Sequence, residues 1–369
     1  MSNKLLFTLF YTFLTHALAA PSIDRDLTRI QESKTTLPIT TRINTLAGTV
    51  LNKDQAHIKS LLKRTRRGKE GSDELSQIDE GDSAAVTNRA VYYTANVGIG
   101  SPPRTYTLAL DTGSSINWVK NDESFQEVPG TCYELTYNKN GAVFGYLDYD
   151  TFTITSDLVA QNQSFLQVKN ATILPEVDGL LGLGPIDLAT ASTYTDFCTE
   201  PGPLTGHYPT IMDTLFSQKK IEKEMFSLFF SPTITTECEN GEITFGGIDS
   251  SKITQDVQYF PISSTPRASE FWGIDLNMTY GDSGTTIVSS GSGIVDSGTT
   301  LFSLAPDAFD AYISATGADY DNVTGLFTAD AQTWPLTLNS ELGGIPGKIY
   351  LAVQVIDAGY DFILGYVVL

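Results

Sequence analysis

Two short segments carry the residues best suited to chemistry: Asp111-Thr112-Gly113-Ser114-Ser115 and, 185 residues on, Asp296-Ser297-Gly298-Thr299-Thr300. Each follows an apolar run, Leu108-Ala109-Leu110 before the first and Ile294-Val295 before the second, so each Asp stands where a buried strand breaks into a turn. A single Asp-Thr-Gly is ordinary Asx or Ser/Thr turn chemistry. Repetition with matching hydroxyls and matching approaches is more specific, because a duplicated turn can bring two carboxyls face to face across a pseudo-twofold axis. Two carboxylates in contact cannot both ionise comfortably. One pKa rises and the other falls, and the pair holds one proton that can pass between substrate and water.

Other chemistries lack their residues. The chain has three histidines, His16, His57 and His207. His16 falls in the N-terminal apolar run and His57 in a basic N-terminal block, which leaves His207 alone in the body. It lies in the polar Pro201–Pro209 stretch and reads as a surface loop residue. Zinc-hydrolase signatures need clustered histidines, and a Cys nucleophile needs a His partner. No Gly-x-Ser-x-Gly elbow is present, and Gly98-Ile99-Gly100 lacks the third glycine and following helix of a nucleotide loop. A glycosidase also uses two carboxylates, but no sugar-stacking aromatics flank either Asp. Carboxylate chemistry remains, with neither metal nor cofactor expected.

The elements that must position these turns are strands. From Val91 onward, Val/Tyr/Thr/Ile runs are punctuated by Gly, Pro, Asn and Asp, as in Tyr92–Gly98, Thr105–Leu110, Asp150–Thr155 and Gly241–Phe245. That predicts an all-β body with sparse helical pattern, clearest at Thr210–Gln218 and Pro306–Ala315. The duplication extends past the Asp turns. Asp178-Gly179-Leu180-Leu181-Gly182-Leu183 is echoed by Asp361-Phe362-Ile363-Leu364-Gly365-Tyr366, with Gly182 71 residues after Asp111 and Gly365 69 after Asp296. Two similar lobes, one Asp each, are expected.

Charge divides the chain. Residues 20–69 carry a net +7 and residues 70–369 a net −28. Lys4, the apolar run Leu5–Leu14 and Ala17-Leu18-Ala19-Ala20 read as a secretory signal cleaved after Ala19, too short to span a bilayer. The basic block reads as a removable prosegment, complementary to the acidic body at neutral pH and released as acid protonates that body. Lys63-Arg64-Thr65-Arg66-Arg67 offers dibasic cleavage sites before the polar Gly68–Ser83 linker. The expected division is signal 1–19, propeptide and linker 20–83, N-terminal lobe 84–260 and C-terminal lobe 261–369. An acidic body argues against nucleic-acid or membrane partners. Sequons at Asn162, Asn170, Asn277 and Asn322 fit a secreted glycoprotein, and Cys132, Cys198 and Cys238 allow one disulfide whose pairing spacing does not decide.

Taken together, these motifs resemble those of the pepsin-type aspartic endopeptidases, from Tyr93 to the C-terminus. The resemblance rests on the two Asp turns, Ile99-Gly100-Ser101-Pro102-Pro103, Trp118-Val119, Leu181-Gly182-Leu183, Phe245-Gly246-Gly247-Ile248-Asp249, Glu270-Phe271-Trp272 and Ile363-Leu364-Gly365. Asp213-Thr214-Leu215-Phe216-Ser217-Gln218 and Gly365-Tyr366 make it most similar to the secreted enzymes of basidiomycete fungi. The resemblance implies a bilobal pepsin-like fold of two β-barrel-like lobes with the active-site cleft between them, and a monomer that cleaves polypeptides at acid pH. It implies a zymogen inhibited by its own propeptide, secreted or, alternatively, vacuolar. Asp111 and Asp296 would be the catalytic dyad. Ser114 and Thr299 would bond the outer carboxylate oxygens, Gly113 and Gly298 would allow close backbone approach, and Thr112 and Ser297 would lock the turns together. Tyr137 would be the flap residue, its phenol reaching the indole of Trp118.

Three departures set a rival expectation. Asn138-Lys139-Asn140-Gly141 replaces a glycine-rich flap tip, the Trp118–Tyr137 stretch is short, and the chain stops four residues after Gly365 with Asn322–Trp334 compressed. The C-terminal strands are therefore expected to be missing. The alternative function is a noncatalytic pepsin-like protein, a binding module or a truncated product.

Overall fold

The computed structural model describes residues 35–42, 51, 54, 55, 57, 58, 61, 92–120, 132–138, 141–171, 174, 177–189, 192–195, 200–204, 207–231, 237–254, 258–281, 284–322, 325–328, 350–357 and 359–369. The expected signal, dibasic stretch and linker, Asn140 at the hairpin tip and Cys198 lie outside them, as do the side chains of Cys132, Tyr137, Asn170 and Cys238.

Twelve strands form the larger sheet. They are β1 Thr35–Arg42, β2 Tyr92–Ile99, β3 Arg104–Asp111, β4 Trp118–Lys120, β5 Cys132–Asn138 and β6 Gly141–Thr153, then β7 Val159–Ala171, β8 Gly179–Gly182, β9 Ser192–Thr195, β10 Glu200–Leu204, β11 Phe226–Phe230 and β12 Glu237–Phe245. Their spatial order is β10-β9-β5-β6-β7-β4-β8-β3-β2-β1-β12-β11. A five-stranded sheet follows, from β13 Gly273–Tyr280, β14 Thr285–Asp296, β15 Phe302–Leu304, β18 Val353–Val355 and β19 Phe362–Gly365, ordered β13-β14-β19-β15-β18. The intervening β16 Asp319–Asp321 and β17 Leu326–Thr328 pair with each other.

Alternation explains the strands. Along β3, Tyr106, Leu108 and Leu110 turn to one face, into a core with Val97, Ile99, Phe152, Phe165 and Leu181, while Arg104 and Thr105 at its open end are exposed. β6 stops at Thr153, short of the expected Thr155, because the chain turns back there. Leu158 N–H donates to the Thr155 hydroxyl at 3.1 Å, and Ile154 N–H to the Leu158 carbonyl at 3.0 Å.

Two helices carry end signals. In α1, Ile211–Ser217, the Thr210 hydroxyl accepts from Asp213 N–H at 3.2 Å, and the Asp213 carboxylate accepts from Thr210 N–H at 2.7 Å. This reciprocal cap contributes about 1 kcal/mol and sets Ile211, Met212 and Leu215 into the first core. In α2, Pro306–Thr316, proline opens the first turn and Gly317 closes it at φ +65°. Phe309 and Tyr312 pack on Phe302, Leu304 and Phe362 of the second sheet.

The duplicated motifs are duplicated in register. β3 runs parallel to β8 with Asp111 opposite Gly182, and β14 parallel to β19 with Asp296 opposite Gly365. β4 and β15, the strands after the two turns, then pair antiparallel with β8 and β19. A side chain on Gly182 would strike the Ser115 backbone at 2.7 Å, and one on Gly365 the Leu301 carbonyl at 2.4 Å. Each glycine therefore lets its Asp turn pack directly on the neighbouring strand.

Two features of the N-terminal block extend the body. β1 lies between β2 and β12, pairing Thr35–Arg42 with Phe245–Glu237 and Thr40–Arg42 with Thr94–Tyr92. Leu51, Asp54, Gln55, His57, Ile58 and Leu61 are helical.

Candidate active site

Asp111 ends β3 and Asp296 ends β14, and both are buried, at 1% and 0% exposure. Each turn wraps its carboxyl in the same way. Gly113 N–H donates to Asp111 Oδ1 and Gly298 N–H to Asp296 Oδ1, each at 2.9 Å. On the outer oxygens, the Ser114 hydroxyl donates to Asp111 Oδ2 and the Thr299 hydroxyl to Asp296 Oδ2, the latter at 2.6 Å. Two donors per carboxyl favour its ionised form and fix its plane.

The turns are also bonded to each other. Thr112 N–H donates to Ser297 Oγ at 3.0 Å, and Ser297 N–H to Thr112 Oγ1 at 2.8 Å. The two hydroxyls pass on to the opposite strands, Thr112 Oγ1 to the Val295 carbonyl and Ser297 Oγ to the Leu110 carbonyl, both at 3.1 Å. Four hydrogen bonds at about 1 kcal/mol each hold the lobes in one register. Trp272 adds a fifth tie, its indole N–H donating to the Leu183 carbonyl at 2.8 Å.

Close approach depends on the glycines. A methyl on Gly113 would stand 2.6 Å from Asp296 Oδ1, and one on Gly298 2.5 Å from Asp111 Oδ1. Each carboxyl thus lies against the backbone of the other turn, in space that any larger residue would fill.

The structure adds a third group that the sequence reading assigned away from the site. His57 Nε2 lies 2.8 Å from Asp296 Oδ2 and 3.9 Å from Asp111 Oδ1. The three potential ligand atoms fall within 4.8 Å of one another, and His57 Nε2 and Asp296 Oδ2 are within hydrogen-bond distance. Burial by itself would raise the Asp296 carboxyl. The charge of His57, its hydrogen bond, the Thr299 hydroxyl and the Gly298 amide outweigh burial and pull that carboxyl down to about 2.

His57 is carried there by its helix. Ile58 and Leu61 enter a cluster with Leu188, Phe271, Ile294, Ile356, Tyr360 and Ile363, and Leu51 packs near Leu301, Leu326 and Tyr350. One turn before His57, the buried Asp54 carboxylate accepts from Thr300 N–H at 2.8 Å and Leu301 N–H at 2.5 Å. A signal for this face exists in the sequence. Leu51, Asp54, Ile58 and Leu61 recur at helical spacing with His57 on the same side. Periodicity marks such a face without saying what it covers.

The remaining predicted residues fall as follows. Trp118 is fully buried on β4 among Leu166, Val168 and Leu180. Tyr137 lies on β5, two strand positions from Leu135, which pairs with Val143, and the reach of its phenol lies outside the described residues. His207 is exposed in its loop, its Nδ1–H donating to the Ile186 carbonyl at 3.0 Å.

Residues 92–349 match the family described as eukaryotic aspartyl protease. Polyporopepsin of Irpex lacteus is 38% identical over 315 residues, covering 77% of this chain and 90% of that protein. Cathepsin D of Clupea harengus is 29% identical over 70% of this chain and 65% of its own length. Pepsin B of Canis lupus familiaris is 26% identical over 69% of this chain and 66% of its own. The crystal structure of the aspartic proteinase from Irpex lacteus aligns with a TM-score of 0.67 at 32% identity, covering 90% of this chain and 91% of that one. Paired carboxyls on duplicated turns, an all-β bilobal fold and these similarities agree: the chain belongs to the pepsin-like family of aspartic-type endopeptidases.

Proposed function

We propose that the chain is made as an inactive precursor of an acid-acting endopeptidase, with Asp111 and Asp296 as its catalytic pair and residues 20–83 as its inhibitory leader. One observation carries this reading: the His57 ring, from the basic leader, stands at 2.8 Å from Asp296 and 3.9 Å from Asp111. It occupies the space in which a peptide carbonyl and an attacking water would have to meet.

With His57 withdrawn, the pair holds one proton over one water. The ionised carboxylate takes a proton from the water as its oxygen attacks the carbonyl carbon, and the other carboxyl gives its proton to the carbonyl oxygen. The tetrahedral diol then collapses. A proton passes to the amide nitrogen, the C–N bond breaks, and no covalent intermediate forms. Ser114 and Thr299 orient the outer oxygens, Thr112 and Ser297 keep the turns in register, and Gly113 and Gly298 leave room for the pair. Tyr137 acts as the flap residue over the bound peptide, with Trp118 beneath it.

The +7 of residues 20–69 against the −28 of residues 70–369 supports release in acid, where carboxylates protonate. Residues 1–19 act as a secretory signal. Asn162, Asn277 and Asn322 are exposed, as glycosylation in transit requires. Among the described residues no helix is long and apolar enough to cross a membrane. The product is a monomer outside the cell or in the vacuole.

The test expresses residues 20–369, acidifies to about pH 4 and follows cleavage of a denatured protein with and without a statine-type inhibitor. Inhibitor-sensitive cleavage abolished by Asp111→Asn is expected. A folded chain without such cleavage refutes the reading and makes the protein a noncatalytic relative.

A further inference from the structure

The three donors around Asp54 belong to the body and not to the leader. Thr300 N–H reaches Asp54 Oδ1 at 2.8 Å, Leu301 N–H reaches Oδ2 at 2.5 Å, and Gln354 Nε2 reaches Oδ2 at 3.2 Å. Gln354 is 2% exposed and is held from behind by the Ser303 hydroxyl at 3.0 Å, its partner residue across the parallel β15–β18 pair. Its other amide atom, Oε1, is buried with no hydrogen-bond partner among the described residues. Consecutive backbone amides converging on one carboxylate form a preorganised anion cradle.

We propose that this cradle is a carboxylate-binding subsite of the mature cleft, which Asp54 fills in the precursor and an acidic side chain of the substrate fills afterwards. The proposal rests on the leader and dyad assignments above. It adds the class of substrate: peptides bearing Asp or Glu near the scissile bond.

Position supports it. Thr300 and Leu301 follow directly on the Asp296 turn, and Asp54 stands three residues before His57, whose ring touches both carboxyls of the pair. Side chains one helical turn apart are about 5–6 Å apart at Cβ, and an extended peptide covers that distance in about two residues at about 3.3 Å each. The cradle therefore reads a side chain about two residues from the bond cut.

Chemistry makes it selective. Separate donors address the two oxygens, so an ionised carboxylate satisfies both at once. Asn or Gln would turn an NH2 group toward one of these donors, as a protonated acid would turn its O–H, and either leaves a buried donor unmet. A backbone carbonyl, with one oxygen and two lone pairs, could take two of these donors but not all three. When the leader departs, Asp54 is withdrawn from Thr300 N–H and Leu301 N–H while Gln354 keeps Ser303, so the cradle favours a replacement of matching charge.

The experiment uses the acid-activated full chain and paired peptides that differ only by Asp or Asn, scanned over four positions on each side of the cut. At one position kcat/KM for Asp should exceed that for Asn by about tenfold at pH 5.5 and fall toward equality by pH 3, as the side chain protonates near its ordinary value of about 3.9. Gln354→Met should lower that ratio. An independent arm needs no variant of the enzyme: a synthetic peptide of residues 51–61 should inhibit in trans, and Asp54→Asn in that peptide should weaken it at least fivefold. Equal rates for Asp and Asn at every position and pH, with unchanged inhibition by the Asp54→Asn peptide, overturn the subsite and leave the endopeptidase intact. A chain that cleaves no peptide refutes the endopeptidase reading instead, and binding of the two 51–61 peptides, measured by fluorescence anisotropy, still decides the cradle.

Discussion

Replacing His57 by alanine in the full chain tests the proposed precursor most directly. Asp296 is held at about 2 in the docked state, against an ordinary value of 3.8. A carboxyl depressed on docking contributes stability that is fully present above its free value and is lost as pH falls through its docked value. The window therefore runs from about pH 4 down to about pH 2. The Thr299 hydroxyl and the Gly298 amide stay with Asp296 when the leader leaves, so the part supplied by His57 is smaller than the whole depression, on the order of 1.4 kcal/mol, or roughly tenfold in the docking equilibrium. In the wild-type chain, opening of the leader should increase several-fold between pH 5 and pH 2 from this group alone. His57→Ala should open roughly tenfold more at pH 5 and lose the share of the acid dependence that Asp296 supplies. It should not release the leader outright, since burial of Ile58 and Leu61 still contributes about 1.5–3 kcal/mol each. The assay is hydrogen exchange at the Thr300 and Leu301 amides, which the leader covers through Asp54, in an Asp111→Asn background that cannot process itself. A His57→Ala chain with the wild-type exchange profile from pH 6 to pH 2 would refute the reasoning.

Other perturbations separate structure from chemistry. Asp111→Asn should keep the wild-type melting temperature within a few degrees and lower cleavage by at least about a thousandfold, since the pair loses its shared proton; comparable activity in both chains would remove Asp111 from the mechanism. Ser297→Ala deprives buried Thr112 N–H of its acceptor and should cost about 1–3 kcal/mol in urea unfolding. Gly298→Ala places a methyl 2.5 Å from Asp111 Oδ1 and 2.9 Å from His57 Nε2. It should therefore reduce both peptide cleavage and leader docking, whereas Gly317→Ala, where the added carbon meets nothing within 4 Å, should affect folding alone, through its positive φ.

Much of the site was legible because it is local. An Asp that ends an apolar strand, a glycine two residues on and a hydroxyl three residues on form one turn, and the same three positions supply every intra-turn hydrogen bond found around Asp111 and Asp296. The second repeat, at Gly182 and Gly365, was legible for a related reason: parallel pairing opposite each Asp demands a residue without a side chain there. His57 reads from the sequence only as part of the basic block, because composition describes a segment's charge and not where its helix docks.

What the amino-acid order determined alone was everything whose cause lies within a few residues. The strands follow from alternation, the α1 cap from Thr210 and Asp213, the two carboxyl turns from their own hydroxyls and amides, and the all-β class from the sum of these. Only the tertiary structure decided which distant groups share space. Asp296 and His57 are 239 residues apart, Asp54 and Gln354 are 300 apart, and no periodicity encodes such meetings. They are set by which apolar faces are buried together. Ile58 and Leu61 sink into the second lobe, and the polar residues on the same helical face are carried to the carboxyl pair and the cradle beside it.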